Sequence, residues 1–143
     1  MYNANDIAKY IINYAMEQNS PVTNLKLQKL LYYLWIEFFK KKREWLFDNT
    51  IRAWPLGPVV PDVYDEFCAY GGFPIRQKFD IDLLQKEDKN IIDLFLEKFF
   101  KYTTKELVDM SHAHGKPWDK IFLNGEGRSK RIPFKMIIED ECN

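Results

Sequence analysis

The side chains most able to support chemistry are two histidines and one cysteine, and their spacing disfavours a shared site. His112 and His114 stand two residues apart in the segment SHAHGKPW, so on a helix they would point about 200° apart. Zinc sites use histidines four residues apart or paired cysteines at short spacing, and this chain has neither pattern. We therefore expect no metal site and no cofactor.

Cys68 is a candidate nucleophile, because a cysteine and its histidine partner need not be close in sequence. With Val63, Tyr64 and Phe67, it falls on the apparent inner face of the helix predicted over residues 61–70, where a free cysteine usually serves packing. Asp62, Asp65 and Glu66 stand together, but carboxylates suit the positive start of that helix. We expect no catalytic residue, and an enzyme that pairs His112 with a carboxylate is the least favoured alternative.

Two basic segments are candidate anion-binding sites. The loop NGEGRSK, residues 124–130, lacks the spacing and the strand–helix context of a phosphate-binding loop. The run Lys40–Arg43 complements the negative end of a long helix. Lysine plus arginine equals aspartate plus glutamate, 21 each, which disfavours nucleic acid as a partner. A DNA-binding role for residues 40–43 and 125–131 remains an alternative that steep salt dependence would support.

Length and composition indicate one soluble domain. The chain has 143 residues, of which 46% are hydrophobic and 16% aromatic, enough for a core without disulfides. The start MYNANDIAKY carries no basic-then-apolar leader, and no apolar run reaches the roughly 18 residues of a membrane span. We expect a cytoplasmic protein with reduced thiols and no membrane contact.

Apolar residues at helical spacing predict six helices. They cover residues 3–19, 23–47, 61–70, 86–103, 103–115 and 116–125. Local signals mark their ends: Asn3 or Asn5 caps the first helix, and Thr103 with Glu106 forms a capping-box pattern in the fifth. Gly115 is expected to close that fifth helix.

The remaining segments carry weaker signals. Residues 51–54 predict a short strand, and Arg131–Ile132 is its candidate partner. Residues 74–86 fit a strand or an extended loop, and residues 132–143 form an apolar segment with an acidic tail. The fold class predicted is mainly α, a single compact domain over residues 1–143 with about six helices and a small two-stranded β accessory as an option.

The segment AWPLGPVVP predicts a rigid corner between the second and third helices. Gly57 supplies a backbone conformation that a Cβ forbids, and Pro58 restricts the unfolded chain. Trp118 is the expected packing partner of Trp54, and His112 is a candidate polar pin beside them. We interpret the corner as mainly structural and as the border of a groove for a partner.

The family signal comes from three blocks. LKLQKLLYYLWIEFF (residues 25–39), IRAWPLGPVVPDVYDEF (51–67) and ELVDMSHAHGKPWDKIF (106–122) resemble, in order, the signature blocks of the Panacea antitoxin domain family. This family includes the SocA-like antitoxins and the GepA-like phage-associated proteins. The motif residues, structural or partner-binding, are Lys26, Leu27, Gln28, Lys29, Leu30, Tyr32, Tyr33, Trp54, Gly57, Pro58, Val59, Pro61, Tyr64, Ser111, His112, Pro117 and Trp118.

The resemblance implies a mainly helical, non-enzymatic antitoxin. Its partner would be a cognate toxin, neutralised by direct contact or presented to a AAA+ protease. The alternative is a phage-encoded inhibitor of a host defence protein or host enzyme, acting through the same surface. Relatives often carry an acidic residue two positions after the histidine of the third block, where this chain has His114. Tyr33, Trp45 and Tyr70 are candidate exposed contact residues, and the oligomeric state stays open.

Overall fold

Seven α-helices and one small antiparallel sheet make up the structure, a computed structural model that describes residues 1–143. The elements in chain order are α1 (Ala4–Glu17), α2 (Asn24–Lys42), β1 (Arg52–Trp54), β2 (Gly57–Val59), α3 (Pro61–Glu66), α4 (Lys86–Phe99), α5 (Thr104–Ser111), α6 (Pro117–Phe122) and α7 (Phe134–Glu141). Short 3-10 turns follow α3 at Cys68–Tyr70 and α6 at Leu123–Gly125. The predicted mainly α fold with a two-stranded accessory is confirmed.

Helix α2 forms the centre of the fold. Every residue from Leu27 to Ile36 is buried, because α2 packs against α1, α3, α4, α5, α7 and β2. A helix that is covered on all sides needs apolar residues around its whole circumference, which explains the run LLYYLWI. One core of 33 buried apolar residues extends from Ala4 to Cys142.

The helix starts follow their predicted capping signals. The Asn3 side chain accepts a hydrogen bond from the Asn5 N–H at 2.8 Å. In α5 the Thr103 hydroxyl and the Glu106 carboxylate each accept the other's backbone N–H, at 3.1 and 2.9 Å. Both pairs satisfy donors that the first helical turn leaves unpaired.

The predicted corner is a β-hairpin. Arg52 lies opposite Val59 and Trp54 opposite Gly57, so the chain reverses over Pro55–Leu56. Arg131 forms a bridge to Arg52, and the Ile132 N–H donates to the Ile51 carbonyl at 2.8 Å. The predicted pairing of residues 131–132 with residues 51–52 is therefore confirmed.

Residues 74–85 contain no helix or strand, and two contacts fix them to the helices. The Ile75 N–H donates to the Val22 carbonyl at 2.7 Å. The Asn13 amide pairs with both backbone groups of Phe79, at 2.8 and 2.7 Å. Of the two readings of this segment, the extended loop is the correct one.

Several predicted boundaries were wrong. Helix α2 ends at Lys42, because Arg43 adopts a left-handed conformation with φ of 56°. Helix α5 ends at Ser111 rather than at Gly115. Residues 132–143, expected to be an apolar segment with an acidic tail, contain helix α7, for which no helix was predicted. No helix combines the length and apolarity needed to cross a membrane.

The inner face predicted for the third helix was also wrong in part. Val63 and Phe67 are buried, as expected, but Tyr64 and Cys68 are exposed. The α-helical part stops at Glu66, so its short inner face holds fewer residues than a regular ten-residue helix would. Cys68 is therefore a surface thiol and not a packing residue.

Candidate functional site

Side chains from two helices hold the β-hairpin by its backbone. The Val60 N–H donates to Gln28 Oε1 at 2.9 Å, and Lys29 Nζ donates to the Pro58 carbonyl at 2.8 Å. From the opposite side, Trp118 Nε1 donates to the carbonyl of Trp54 at 2.7 Å. The three sequence blocks therefore meet at the hairpin, because polar side chains of the first and third satisfy backbone groups of the second.

Lys29 is a buried amine in the second turn of α2. Its side chain is wholly inaccessible to water, and the Pro58 carbonyl is its hydrogen-bond acceptor. Burial disfavours the charged form and lowers the pKa of Lys29 to about 7. The neutral amine is thus well populated near neutral pH, and it still donates a hydrogen bond.

Gly57 is the point of closest approach between the hairpin and the helices. It has a φ of +115°, and a Cβ there would lie 2.6 Å from Ser111 Oγ and 2.8 Å from Lys29 Cε. Both distances are below any ordinary contact, so a larger residue fits only if the Ser111 and Lys29 side chains move and give up their hydrogen bonds to the Val108 and Pro58 carbonyls. Ser111 itself is buried and donates to the Val108 carbonyl at 2.8 Å.

His112 holds Trp118 in place by stacking. The two ring centroids are 3.8 Å apart and the ring planes differ by 8°; Phe122 stacks on Trp118 with a centroid distance of 4.5 Å. The buried Nε2 atom of His112 has no hydrogen-bond partner, so the expected polar pin is an aromatic contact. Burial lowers the pKa of His112, and the Lys29 ammonium lowers it further.

The hairpin borders a groove of about 580 Å³, which we call the hairpin groove. It lies between the start of α2, the hairpin, α3 and the start of α5. Its lining is Thr23, Asn24, Leu25, Gln28, Trp54, Pro55, Leu56, Val59, Tyr64, Gly71, Gly72 and Thr104. Four of the predicted motif residues are in this lining: Gln28, Trp54, Val59 and Tyr64.

A second groove of about 470 Å³ lies between Trp45 and α7. It is lined by charged as well as apolar residues, including Asp48, Arg131, Lys135 and Glu139. None of the predicted motif residues lines it. The hairpin groove is therefore the better candidate functional site.

Other motif residues lie away from the hairpin groove and serve the core. Lys26 Nζ donates to the Phe100 carbonyl at 2.8 Å, and the Tyr32 hydroxyl reaches Glu141 at 3.3 Å. Tyr33 is 8% exposed. The remaining motif residues of this group are the buried Leu27, Leu30 and Pro117, and the half-buried Pro61 that begins α3.

Of the three candidate contact aromatics, only Trp45 is exposed, at 41%. Tyr33 is buried and Tyr70 is half-buried. Sequence reasoning missed Leu56, which projects from the hairpin with 53% of its surface exposed. Its position between Pro55 and Gly57 was the available signal, because an apolar residue at the tip of a hairpin has no core to enter.

Comparison with known proteins covers most of the chain. Residues 27–119 match the family described as "Antitoxin SocA-like, Panacea domain". Antitoxin SocA of Caulobacter vibrioides (strain NA1000 / CB15N) is 33% identical over 153 aligned residues, which cover 96% of this chain and 81% of that protein. No solved structure matches the chain. The family match includes Gln28, Lys29, the whole hairpin and Trp118.

Proposed function

The chain belongs to the family of SocA-like antitoxins with a Panacea domain, and from this premise we propose that it is a non-enzymatic antitoxin that binds a cognate toxin through the hairpin groove. One observation carries the proposal. The groove gathers exposed apolar and aromatic surface, from Leu56 and Tyr64, beside motif residues that fix its walls.

The exposed residues suit contact with another protein. Tyrosine and tryptophan are enriched where proteins meet, and Tyr64 and Trp54 pack edge to face with ring centroids 4.9 Å apart. Leu56 adds an apolar side chain at the rim. A stable complex would bury about 1,200–2,000 Å² in total, so the groove would form the centre of a larger interface.

The rigid hairpin supports binding in a second way. Backbone groups on either side of its turn are held by Gln28, Lys29 and Trp118. A surface that is already ordered loses little conformational entropy when a partner binds. The toxin would then be neutralised in one of two ways: by occlusion of the surface with which it acts on its target, or by delivery to a cytoplasmic AAA+ protease.

The experiment is co-expression of the chain with the adjacent open reading frame, followed by growth measurement and co-purification. We expect the product of the adjacent open reading frame, expressed alone, to arrest growth, and co-expression of the wild-type chain to restore growth. Restored growth with a co-eluting complex indicates occlusion. Loss of the neighbour that depends on a AAA+ protease gene indicates delivery to the protease.

Two variants connect the result to the groove. Leu56→Glu should abolish rescue, because it places a carboxylate against an apolar contact. Leu94→Glu on α4 is the matched control, since Leu94 is similarly exposed (61%) and lies outside the groove. A neighbour that is neither toxic nor bound would contradict the antitoxin proposal and would favour an inhibitor of a host protein.

A further inference from the structure

The chemistry of the hairpin groove points to the kind of segment that it accepts. We propose that the groove binds an uncharged, apolar stretch of the partner protein, without ion pairs inside the contact. The inference rests on the proposed function only for the identity of the partner. The chemistry of the occupant follows from the lining.

The lining contains no aspartate, glutamate, lysine or arginine. This is unusual for a surface of a chain in which 29% of the residues are charged. A charged side chain placed in the groove would lose its hydration and find no counter-charge in the lining. The groove therefore selects against charge in its occupant.

Three polar side chains of the lining, Thr23, Asn24 and Gln28, are already hydrogen-bonded to one another or to the backbone. Asn24 Nδ2 donates to the Tyr64 carbonyl at 3.1 Å, and Gln28 Nε2 donates to Asn24 Oδ1 at 2.9 Å. Gln28 Oε1 is occupied by the Val60 N–H. Asn24 and Gln28 therefore have little hydrogen-bonding capacity left for a ligand. The Tyr64 and Thr104 hydroxyls are uncharged, and Leu25, Pro55, Leu56 and Val59 make the rest of the lining largely apolar, so burial of apolar surface supplies most of the affinity.

The test uses the purified full chain and an array of short synthetic peptides of random composition. We expect the bound peptides to share a central run of large apolar residues that lacks acidic and basic side chains. A fluorescein-labelled copy of the best peptide is then titrated by anisotropy. Its affinity should be nearly the same in low and high salt, because ion pairs are screened by salt and apolar contacts are not.

Two variants locate the binding site. Leu56→Glu should weaken peptide binding at least about tenfold, and Leu94→Glu should leave it unchanged. Selection of acidic or basic peptides, equal loss in both variants, or no bound peptide at all would each overturn the inference.

The two proposals fail separately. If the array selects apolar peptides at the groove but the neighbouring gene product is not toxic, the antitoxin function is wrong and the groove chemistry stands. If rescue works and depends on Leu56 while the array selects charged peptides, the antitoxin function stands and the inference is wrong.

Discussion

The Nζ atom of Lys29 lies 2.8 Å from the carbonyl oxygen of Pro58, in a position that water does not reach. The contact joins the central helix to the hairpin. It also explains a lysine at a position where the core pattern of α2 calls for an apolar residue. The amine supplies the donor that a buried backbone carbonyl needs.

Lys29 should make stability depend on pH in the alkaline range. Burial lowers the pKa of Lys29 in the folded protein to about 7, whereas an unfolded lysine has a pKa of about 10.4. Between these values the unfolded chain binds a proton that the folded chain does not, so stability rises with pH. Its slope should approach about 1.4 kcal/mol per pH unit.

Urea unfolding between about pH 7.5 and 9.5 measures this slope, and Lys29→Met should flatten it. The window ends at about pH 9.5 because burial raises the pKa of Tyr10 and Tyr33 in the folded protein. At higher pH these tyrosines ionise first in the unfolded chain, which lowers the stability of the wild type and of Lys29→Met alike. Parallel curves for the wild type and Lys29→Met would contradict a buried, mainly neutral Lys29.

Gly57→Ala should destabilise the fold strongly. The added Cβ meets Ser111 Oγ at 2.6 Å and Lys29 Cε at 2.8 Å, at a φ of +115°, so steric overlap adds to backbone strain. We expect a loss of about 2–4 kcal/mol in the free energy of unfolding. Gly125→Ala is the control, because Gly125 has a φ of +106° and open space around it. Backbone strain alone should lower the free energy of unfolding of this variant by roughly 1 kcal/mol. Equal losses would mean that the close approach is not important.

The sequence was sufficient wherever the signal was local. The capping box of Thr103 and Glu106 and the helix-starting Pro117 can be recognised within four residues, and the structure has both. Helix α7 was missed because it ends in Asp140 and Glu141, which oppose the negative end of a helix dipole. Lys120 lies 2.7 Å from Asp140, and this contact with α6 cannot be recognised from a local pattern.

In the candidate site too, local motifs can be recognised in the sequence, whereas contacts made by tertiary packing cannot. Trp54, Tyr64 and Gln28 belong to recognisable motifs, but the groove that they share with Leu56 depends on tertiary packing. In the sequence, Lys29 looks like a surface lysine. Its burial is tolerable because Nζ donates to the Pro58 carbonyl, and that acceptor is 29 residues away in the chain. Helical spacing predicts a core position for Tyr64, because the spacing does not show that α3 ends at Glu66.

Trp118→Phe should remove a hydrogen bond while keeping most of the ring packing. The Nε1 of Trp118 donates to the Trp54 carbonyl at 2.7 Å, whereas the stacks on His112 and Phe122 need only an aromatic ring. We expect a loss of about 1–2 kcal/mol in chemical denaturation followed by circular dichroism. Trp45→Phe is the control, since Trp45 is 41% exposed and its indole nitrogen makes no hydrogen bond within the chain. A loss of similar size in both variants would show that the bond to Trp54 contributes little.

His112→Phe should leave the folded protein at least as stable as the wild type below neutral pH. The phenyl ring can keep the stack on Trp118 and removes a buried nitrogen that has no partner. Burial lowers the pKa of His112 below its ordinary value of 6.5. As pH falls from 6.5, the unfolded chain therefore takes up a proton before the folded chain does, and stability is lost.

Thermal unfolding between about pH 7 and 5 tests this dependence. His112→Phe should reduce the acid loss of stability, and His114→Phe should not, because the His114 side chain is fully exposed. Identical acid profiles in the wild type and His112→Phe would show that the imidazole is not held in its neutral form. The stack would then have to tolerate a charged ring 3.8 Å from Trp118, with its Nε2 shielded from water.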